Sequence, residues 1–227
     1  MTRSRTQIRN FNAWTFNSRM VARKFDVQVR QHHPWYDVAM ESVGHLARSY
    51  IPTNGLVYDI GASTGLFGRT VASLLTERNA RLIAIENSPA MVNSYRGPGE
   101  LKIADAIKFD YEPFDFGVLF LVLRFFPVAT RQRFLLSLRD KLRPGGAIIV
   151  VDRVYPLPGS TGAALRLMSL KTQLEAGATA DLIIEKELGL AGAQKPLDPV
   201  RELAPCGAEQ WFQFGDFAGW IIEKGGL

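Results

Sequence analysis

Short apolar segments alternate with helix-like segments along most of the chain, and this order constrains the fold more than any other sequence feature. Leu56–Ile60, Arg81–Glu86 and Ala147–Asp152 are apolar runs with the length of buried strands. Helical spacing of apolar residues precedes the first run at Trp35–Tyr50 and follows it at Leu66–Leu75. Strands that alternate with helices through short links form a parallel sheet with helices on both faces. The sequence therefore predicts an α/β fold.

The remaining elements complete one domain. Further strands are predicted at Leu101–Ala104 and Phe116–Leu123, and the second of these is apolar on both faces, as a central parallel strand is. Further helices are predicted at Ser88–Tyr95, at Pro127–Leu142 and once or twice within residues 160–190. The segment Glu209–Glu223 has the pattern of a hairpin. We therefore predict a Rossmann-like, mostly parallel seven-stranded sheet that finishes in an antiparallel hairpin.

The positive charge of the chain is concentrated near its N-terminus. The net charge is +5, yet residues 1–33 contain seven basic residues and one acid, so the rest is close to neutral. We predict a basic arm at residues 1–30 and a folded domain at residues 31–227. Aromatic residues such as Trp14 among the arginines favour contact with nucleic acid, with cations for phosphates and rings for bases. The alternatives are a solvated or partner-packed tail and a mitochondrial transit peptide.

Cysteine and hydropathy patterns limit the compartment and the kind of site. The single cysteine, Cys206, excludes an internal disulfide and is predicted to be a small buried hydrophobe. The histidines have no neighbouring pattern typical of a metal site. The longest uninterrupted apolar run, Phe116–Leu123, is too short to cross a membrane. We expect a cytoplasmic protein without a metal.

The turn after the first predicted strand is a candidate nucleoside site. Open parallel sheets bind ligands at the carboxyl ends of their strands, and the turn over Asp59–Gly68 is rich in glycine. It lacks the Gly-Lys-Ser/Thr of a phosphate-binding loop, and Ser63 stands where the dinucleotide pattern has its middle glycine. The carboxylate of Asp59 would oppose a pyrophosphate but suits a ligand that bears an amino group.

Acidic residues at the next two strand ends extend this pattern. Glu86 follows the second strand, where a carboxylate can accept both ribose hydroxyls of a nucleoside. Asp105 follows the third strand, near the expected place of an adenine amino group. A glycine turn and three strand-end acids, without a phosphate-binding loop, indicate S-adenosylmethionine as the cofactor. The alternative is three unrelated strand-end acids beside a structural glycine turn.

The same residues resemble the class I S-adenosylmethionine-dependent methyltransferases over about residues 55–155. The matching stretches are Asp59-Ile60-Gly61, Ile85-Glu86-Asn87, Ala104-Asp105-Ala106 and Leu142-Arg143-Pro144-Gly145-Gly146. Within this family the chain is most similar to the carboxy-S-adenosylmethionine synthases that serve wobble-uridine modification in tRNA. The stretches that carry this closer similarity are Lys24-Phe25-Asp26, Pro34-Trp35-Tyr36, Asn87-Ser88-Pro89-Ala90-Met91 and Trp211-Phe212-Gln213.

The resemblance implies a role for each residue that matches the family. Gly61, Ala62 and Ser63 would hold the methionine end of the cofactor, Glu86 and Asn87 the ribose, and Asp105 and Ala106 the adenine. Tyr36, on the preceding helix, would close over the cofactor. Together with Asp59, these eight residues are the predicted cofactor site.

The resemblance also implies the reaction, in which the methyl group of the cofactor captures carbon dioxide lost from prephenate. Arg201 would hold the new carboxylate as the catalytic cation, because a guanidinium binds a carboxylate in a bidentate way. Arg124 is a second candidate cation, with a surface charge as the alternative. We interpret Arg131 and the four basic residues that follow it, up to Arg143, as a solvated helix face. Phe120 stands where the synthases have asparagine, which leaves altered chemistry open.

Other activities remain open at this point. Methylation of a small molecule or RNA is the first alternative, and a non-catalytic nucleoside-binding module and a nicotinamide-dependent oxidoreductase are the others. The segment Arg124-Phe125-Phe126-Pro127 has no amide or carboxylate of the kind that nucleic-acid amino methyltransferases carry there, and Cys206 lies too far along the chain for cytosine-C5 chemistry. The expected partner is a small-molecule substrate, without a membrane, and a homodimer is also considered.

Overall fold

The computed structural model describes residues 18–225 and shows a seven-stranded sheet with helices packed around it. The strands are β1 Leu56–Ile60, β2 Arg81–Glu86, β3 Glu100–Ile103, β4 Phe114–Phe120, β5 Leu142–Arg153, β6 Ala208–Phe214 and β7 Phe217–Glu223. Their order across the sheet is β3-β2-β1-β4-β5-β7-β6. The first five run parallel, and β7 is antiparallel to both of its neighbours. The predicted fold class is confirmed, including the antiparallel hairpin at the end.

Eight α-helices lie in the described part of the chain. They are α1 Arg19–His32, α2 Tyr36–Tyr50, α3 Leu66–Thr70, α4 Ala72–Glu77, α5 Pro89–Ser94, α6 Val128–Lys141, α7 Gly159–Glu175 and α8 Ala180–Gly189. None of these helices has both the length and the apolar character that crossing a membrane requires.

Alternate residues of the strands belong to two separate cores, one on each face of the sheet. On β1, Tyr58 packs in the core that contains Leu135 of α6, whereas Val57 packs in the core that contains Val43 of α2. Because both faces are covered, the central strands are apolar on both sides. Polar groups that act on a ligand are therefore expected at the strand ends. Cys206 is buried, as predicted.

The strand β4 and the helix after the glycine turn differ from their predicted bounds. The strand ends at Phe120 and not at Leu123, because Leu121 takes a left-handed conformation with a φ of 59° and turns the chain. A short 3₁₀ turn follows it. The predicted helix Leu66–Leu75 is divided at Val71, which leaves the helical region with a φ of −102°. The apolar pattern continues through both breaks, so periodicity alone does not reveal them.

The predicted basic arm overlaps a helix. Helix α1 begins after Ser18, whose side chain accepts a hydrogen bond from the backbone N–H of Val21. The helix packs Val21 against Met91 of α5, and the predicted domain boundary at residue 30 falls inside it. Residues 1–17, with three of the six arginines and three of the four aromatic residues of the predicted arm, lie outside the described residues.

Arg131 is fully buried, which corrects the prediction that it lies on a solvated helix face. Its Nη1 atom lies 3.0 Å from Oε2 of Glu202. The guanidinium also donates hydrogen bonds to the carbonyl oxygens of Phe126 and Arg124. Arg133, two residues further along α6, is exposed as predicted. The spacing of basic residues along the helix does not show whether a given arginine forms a buried ion pair or lies in solvent.

Candidate functional site

A cavity of about 540 Å³ lies at the carboxyl ends of the parallel strands. This volume is typical of sites that hold a cofactor or a small molecule. The nine residues of the predicted cofactor site all line it: Tyr36, Asp59, Gly61, Ala62, Ser63, Glu86, Asn87, Asp105 and Ala106. The structure thus brings the predicted set together, while their individual contacts with a cofactor stay a prediction.

The glycine turn after β1 is held tightly against its neighbours. Gly61 has a φ of 76°, and a Cβ atom built on it would lie only 2.4 Å from the side chain of Val122. The backbone N–H groups of Gly61 and Ala62 both donate to the carbonyl oxygen of Ile85 at the end of β2. A larger residue at position 61 would be strained and would collide with its neighbour. At Gly61 the turn therefore presents backbone, and not a side chain, to the cavity.

Glu86 anchors two turns with one carboxylate. Its Oε2 accepts a hydrogen bond from the N–H of Ser63 at 2.8 Å, and its Oε1 accepts from the N–H groups of Asn87 and Ser88 at 2.9 and 2.8 Å. An ionised carboxylate offers about four acceptor positions, so capacity remains on Oε2 for a ribose hydroxyl. The amide contacts hold the carboxylate in place before any ligand arrives.

Asp59 is a buried carboxylate, and its surroundings favour a cationic ligand. Its Oδ2 atom is buried and has no hydrogen-bond partner among the described residues. Burial, and to a lesser extent the negative charge of Glu86, raise the pKa of Asp59 to about 7. An ammonium group would supply both the missing hydrogen bond and the missing charge. The cavity therefore fits S-adenosylmethionine, whose methionine end carries such a group.

The raised pKa of Asp59 predicts a pH dependence of cofactor binding. Because the carboxyl is mostly neutral below its pKa, the affinity for S-adenosylhomocysteine is expected to rise between about pH 6 and about pH 8. Asp59→Asn is expected to bind about tenfold more weakly at the higher pH and to lose the dependence. Titration calorimetry measures both effects, with Asp110→Asn on the surface as the control. An affinity of the wild-type protein that stays constant over this range would contradict the assignment.

Asp105 and Tyr36 occupy the two remaining sides of the predicted cofactor site. Oδ1 of Asp105 accepts a hydrogen bond from the N–H of Ile107 at 3.0 Å, which orders the turn after β3. Tyr36 is buried, and its ring packs edge-to-face on Phe120 at a centroid distance of 5.1 Å. Burial raises the pKa of Tyr36, so its phenol stays protonated. Phe120 lies in the cavity wall, where its ring makes this side apolar.

Helix α1 forms a wall of the cavity that sequence reasoning missed. Gln28 and His32 line the cavity from this helix, and His33 lines it from the position directly after the helix. The sequence signal for the helix is weak, because arginine and lysine account for four of its 14 residues and the segment falls largely within the predicted arm. The serine that caps it and the spacing of buried Val21 and Val29 are the features that could have revealed it.

The two predicted anion-binding arginines are placed very differently. Arg124 is 4% exposed and lines the cavity, with its Nε 3.7 Å from Oδ1 of Asp152 and its guanidinium over the ring of Phe125. The interpretation of Arg124 as a surface charge is therefore wrong. The side chain of Arg201 is 86% exposed, faces Asp198 and does not line the cavity. The fold gives no geometric support to the role predicted for Arg201.

Comparison with known proteins finds that this chain is similar to methyltransferases and to carboxy-S-adenosyl-L-methionine synthases. A family model described as a methyltransferase domain matches residues 58–150. The carboxy-S-adenosyl-L-methionine synthase of Staphylococcus epidermidis is 28% identical over 95% of this chain and 100% of its own length. The enzyme of the same name from Pectobacterium atrosepticum is also 28% identical, over 96% of this chain and 94% of its own.

Solved structures agree on the fold. The plantazolicin methyltransferase BpumL, in complex with S-adenosylhomocysteine, superposes with a TM-score of 0.62 and 13% identity, over 91% of this chain and 90% of that one. Human N-acetylserotonin methyltransferase, in complex with S-adenosylmethionine, superposes with a TM-score of 0.57 and 16% identity over 92% of this chain. This chain covers only 57% of the human enzyme. At such identities the likeness concerns the fold.

Proposed function

We propose that this chain, an S-adenosylmethionine-dependent transferase, is a carboxy-S-adenosylmethionine synthase that takes carbon dioxide from prephenate. A methyltransferase family model matches residues 58–150, and synthases of this name are similar to nearly the whole chain. The observation that carries the proposal is the buried Arg124 in the wall of the cavity. Its guanidinium offers hydrogen bonds to a carboxylate where little solvent competes. The similarity to synthases over nearly the whole chain supports the same reaction.

The walls around Arg124 fit a ring-shaped carboxylate. Phe120, Phe125 and Phe126 line the same cavity, and their rings suit the flat, unsaturated ring of prephenate. The guanidinium would bind the carboxylate while the rings bury the apolar part of the substrate. Apolar walls with a few converging polar groups are typical of small-molecule sites.

The residues of the cavity support the reaction by orienting the cofactor and the substrate, and none of them is assigned as a base. When bound, S-adenosylmethionine would supply an activated methyl group, which would lose one proton to the hydroxide released from prephenate and gain the carboxyl group in its place. Glu86 and Asp59 hold the two ends of the cofactor, and Arg124 holds the carboxylate substrate beside it. Such positioning alone lowers a reaction barrier substantially, because it removes the entropy cost of bringing two molecules together. The phenylalanine rings keep bulk water from the released carbon dioxide.

Methylation of a small molecule or RNA is the second candidate. Phe120 favours it, because the synthases that the chain resembles have asparagine at this position. An apolar ring here would suit a flat acceptor without the polar contact that asparagine makes. The cofactor side of the cavity would be the same for both activities.

Incubation of the protein with S-adenosylmethionine and prephenate separates the two candidates. Mass spectrometry is expected to detect a cofactor that has gained one carbon dioxide. Arg124→Met is expected to lower this product at least tenfold while S-adenosylhomocysteine still binds, and Arg124→Lys to retain part of the activity. The surface variant Arg133→Met is the control. Methyl transfer to an acceptor without any carboxylated cofactor would refute the synthase proposal.

A further inference from the structure

A second set of polar side chains lines the cavity beyond those assigned to the cofactor. Gln28 and His32 enter from α1, His33 from the position directly after it, Arg124 from the turn after β4, and Lys186 from α8. The Nζ atom of Lys186 lies 3.3 Å from Nε2 of His33. Three elements that are far apart along the chain therefore place nitrogen-bearing side chains around one end of the cavity.

Four of these side chains have polar atoms without a partner. Gln28 Oε1, His32 Nε2, His33 Nδ1 and Arg124 Nε are buried and make no hydrogen bond within the described part of the chain. Buried polar atoms in folded proteins nearly always have a partner, so each exception needs an explanation. Their grouping in one cavity wall points to a polar ligand.

The charges around this group favour an anion. Burial lowers the pKa of His32 to about 4 and that of His33 well below its usual value, so both rings are neutral at pH 7. Arg124, whose Nε lies 3.7 Å from Oδ1 of the buried Asp152, supplies positive charge, and Lys186 adds to it below about pH 7. The carboxylate of Glu187, which also faces Lys186, is engaged by Arg153 at 3.4 Å and by Arg166 at 3.3 Å.

We propose that Lys186, together with His33 and Arg124, forms a carboxylate-binding subsite for the carboxylate that the substrate keeps. The inference rests on the proposed function, because it takes the substrate to be a carboxylate. Ionic hydrogen bonds stabilise a carboxylate relative to neutral carbon dioxide, so a group held by two cations resists decarboxylation. The carboxylate that leaves must therefore lie elsewhere in the cavity. The substrate class is a ring-bearing molecule with at least two carboxylates.

Phenylpyruvate is a direct probe of this subsite. It is what remains of prephenate after carbon dioxide and hydroxide are lost, and it keeps only the retained carboxylate. Its affinity for the complex with S-adenosylhomocysteine can be measured by titration calorimetry without turnover. Phenylacetone, which has a methyl group in place of the carboxylate, is the neutral control and is expected to bind at least tenfold more weakly.

The expected pH dependence follows from Lys186. Burial, and the neighbouring charges of Arg124 and Arg153, lower the pKa of Lys186 to about 7, whereas Glu187 acts in the opposite direction. Lys186 is therefore charged below about pH 7, and phenylpyruvate should bind more weakly as the pH rises through this value. In the cofactor-analogue complex Asp59 is already paired with the ammonium group, so it does not add to this dependence.

Substitutions of Lys186 decide the proposal. Lys186→Met is expected to weaken phenylpyruvate binding at least tenfold and to remove its pH dependence, with unchanged affinity for S-adenosylhomocysteine. Lys186→Arg is expected to keep the affinity at low pH and to lose the decline above about pH 7. Lys171→Met, on the exposed side of α7, is the matched control.

Two results would overturn the subsite. One is a Lys186→Met variant that binds phenylpyruvate as the wild type does. The other is a wild-type protein that binds phenylacetone as tightly as phenylpyruvate, which decides the question even if the methionine variant fails to fold. Neither result depends on whether carboxylated cofactor is formed, so failure of the proposed function and failure of this subsite are distinguishable.

Discussion

Glu86→Gln is expected to weaken the binding of S-adenosylhomocysteine by about 100-fold, which titration calorimetry would measure. The carboxylate accepts three backbone N–H groups, from Ser63, Asn87 and Ser88, and retains capacity for a ribose hydroxyl. A glutamine must point its own NH₂ group at one of these N–H donors. It therefore removes the charge that the ribose hydroxyl meets and also disturbs the turn that shapes the cofactor site.

The control for this prediction is Glu112→Gln, which changes an exposed carboxylate of the same type. The unfolding free energy of Glu86→Gln should fall by only about 1–2 kcal/mol, because each backbone amide can find a new partner in water at the open side of the cavity. An affinity within a factor of three of the wild type would show that the nucleoside does not depend on Glu86.

Arg131→Met is expected to lower the unfolding free energy by about 3–5 kcal/mol, because it leaves the buried carboxylate of Glu202 without its partner. The loss also frees the carbonyl oxygens of Arg124 and Phe126, to which the guanidinium donates. Since these residues form the turn that carries the cavity wall, phenylpyruvate binding should weaken as well. Urea denaturation monitored by circular dichroism measures the change in stability.

Arg133→Met, on the exposed side of the same helix, should change the unfolding free energy by less than about 0.5 kcal/mol. The double variant Arg131→Met with Glu202→Leu should be more stable than Arg131→Met alone, because it removes the unpaired buried charge. If the single variant lost less than about 1 kcal/mol, the pair would not hold the turn as described.

The fold could be predicted because it depends on local patterns that repeat along the chain. Apolar runs as short as Leu56–Ile60, set between turns, favour buried strands, and their alternation with helices leaves few arrangements other than a parallel sheet. The predicted bounds failed where the chain changes direction without a change in hydropathy, as at Leu121 and Val71. Backbone conformation at such points depends on what packs against them.

By itself, the sequence determined that the residues predicted to hold the cofactor meet at one edge of the sheet. Asp59, Glu86 and Asp105 follow successive strands, and the carboxyl ends of parallel strands meet at one edge of a sheet regardless of which helices cover it. Only the tertiary structure decided the substrate side. His33 and Lys186 are 153 positions apart along the chain. Arg124 and Arg131 are buried, although arginine is a residue type that usually lies on the surface. Burial of their charges arises when helices α1 and α8 and the turn after β4 pack together, and no local pattern encodes that packing.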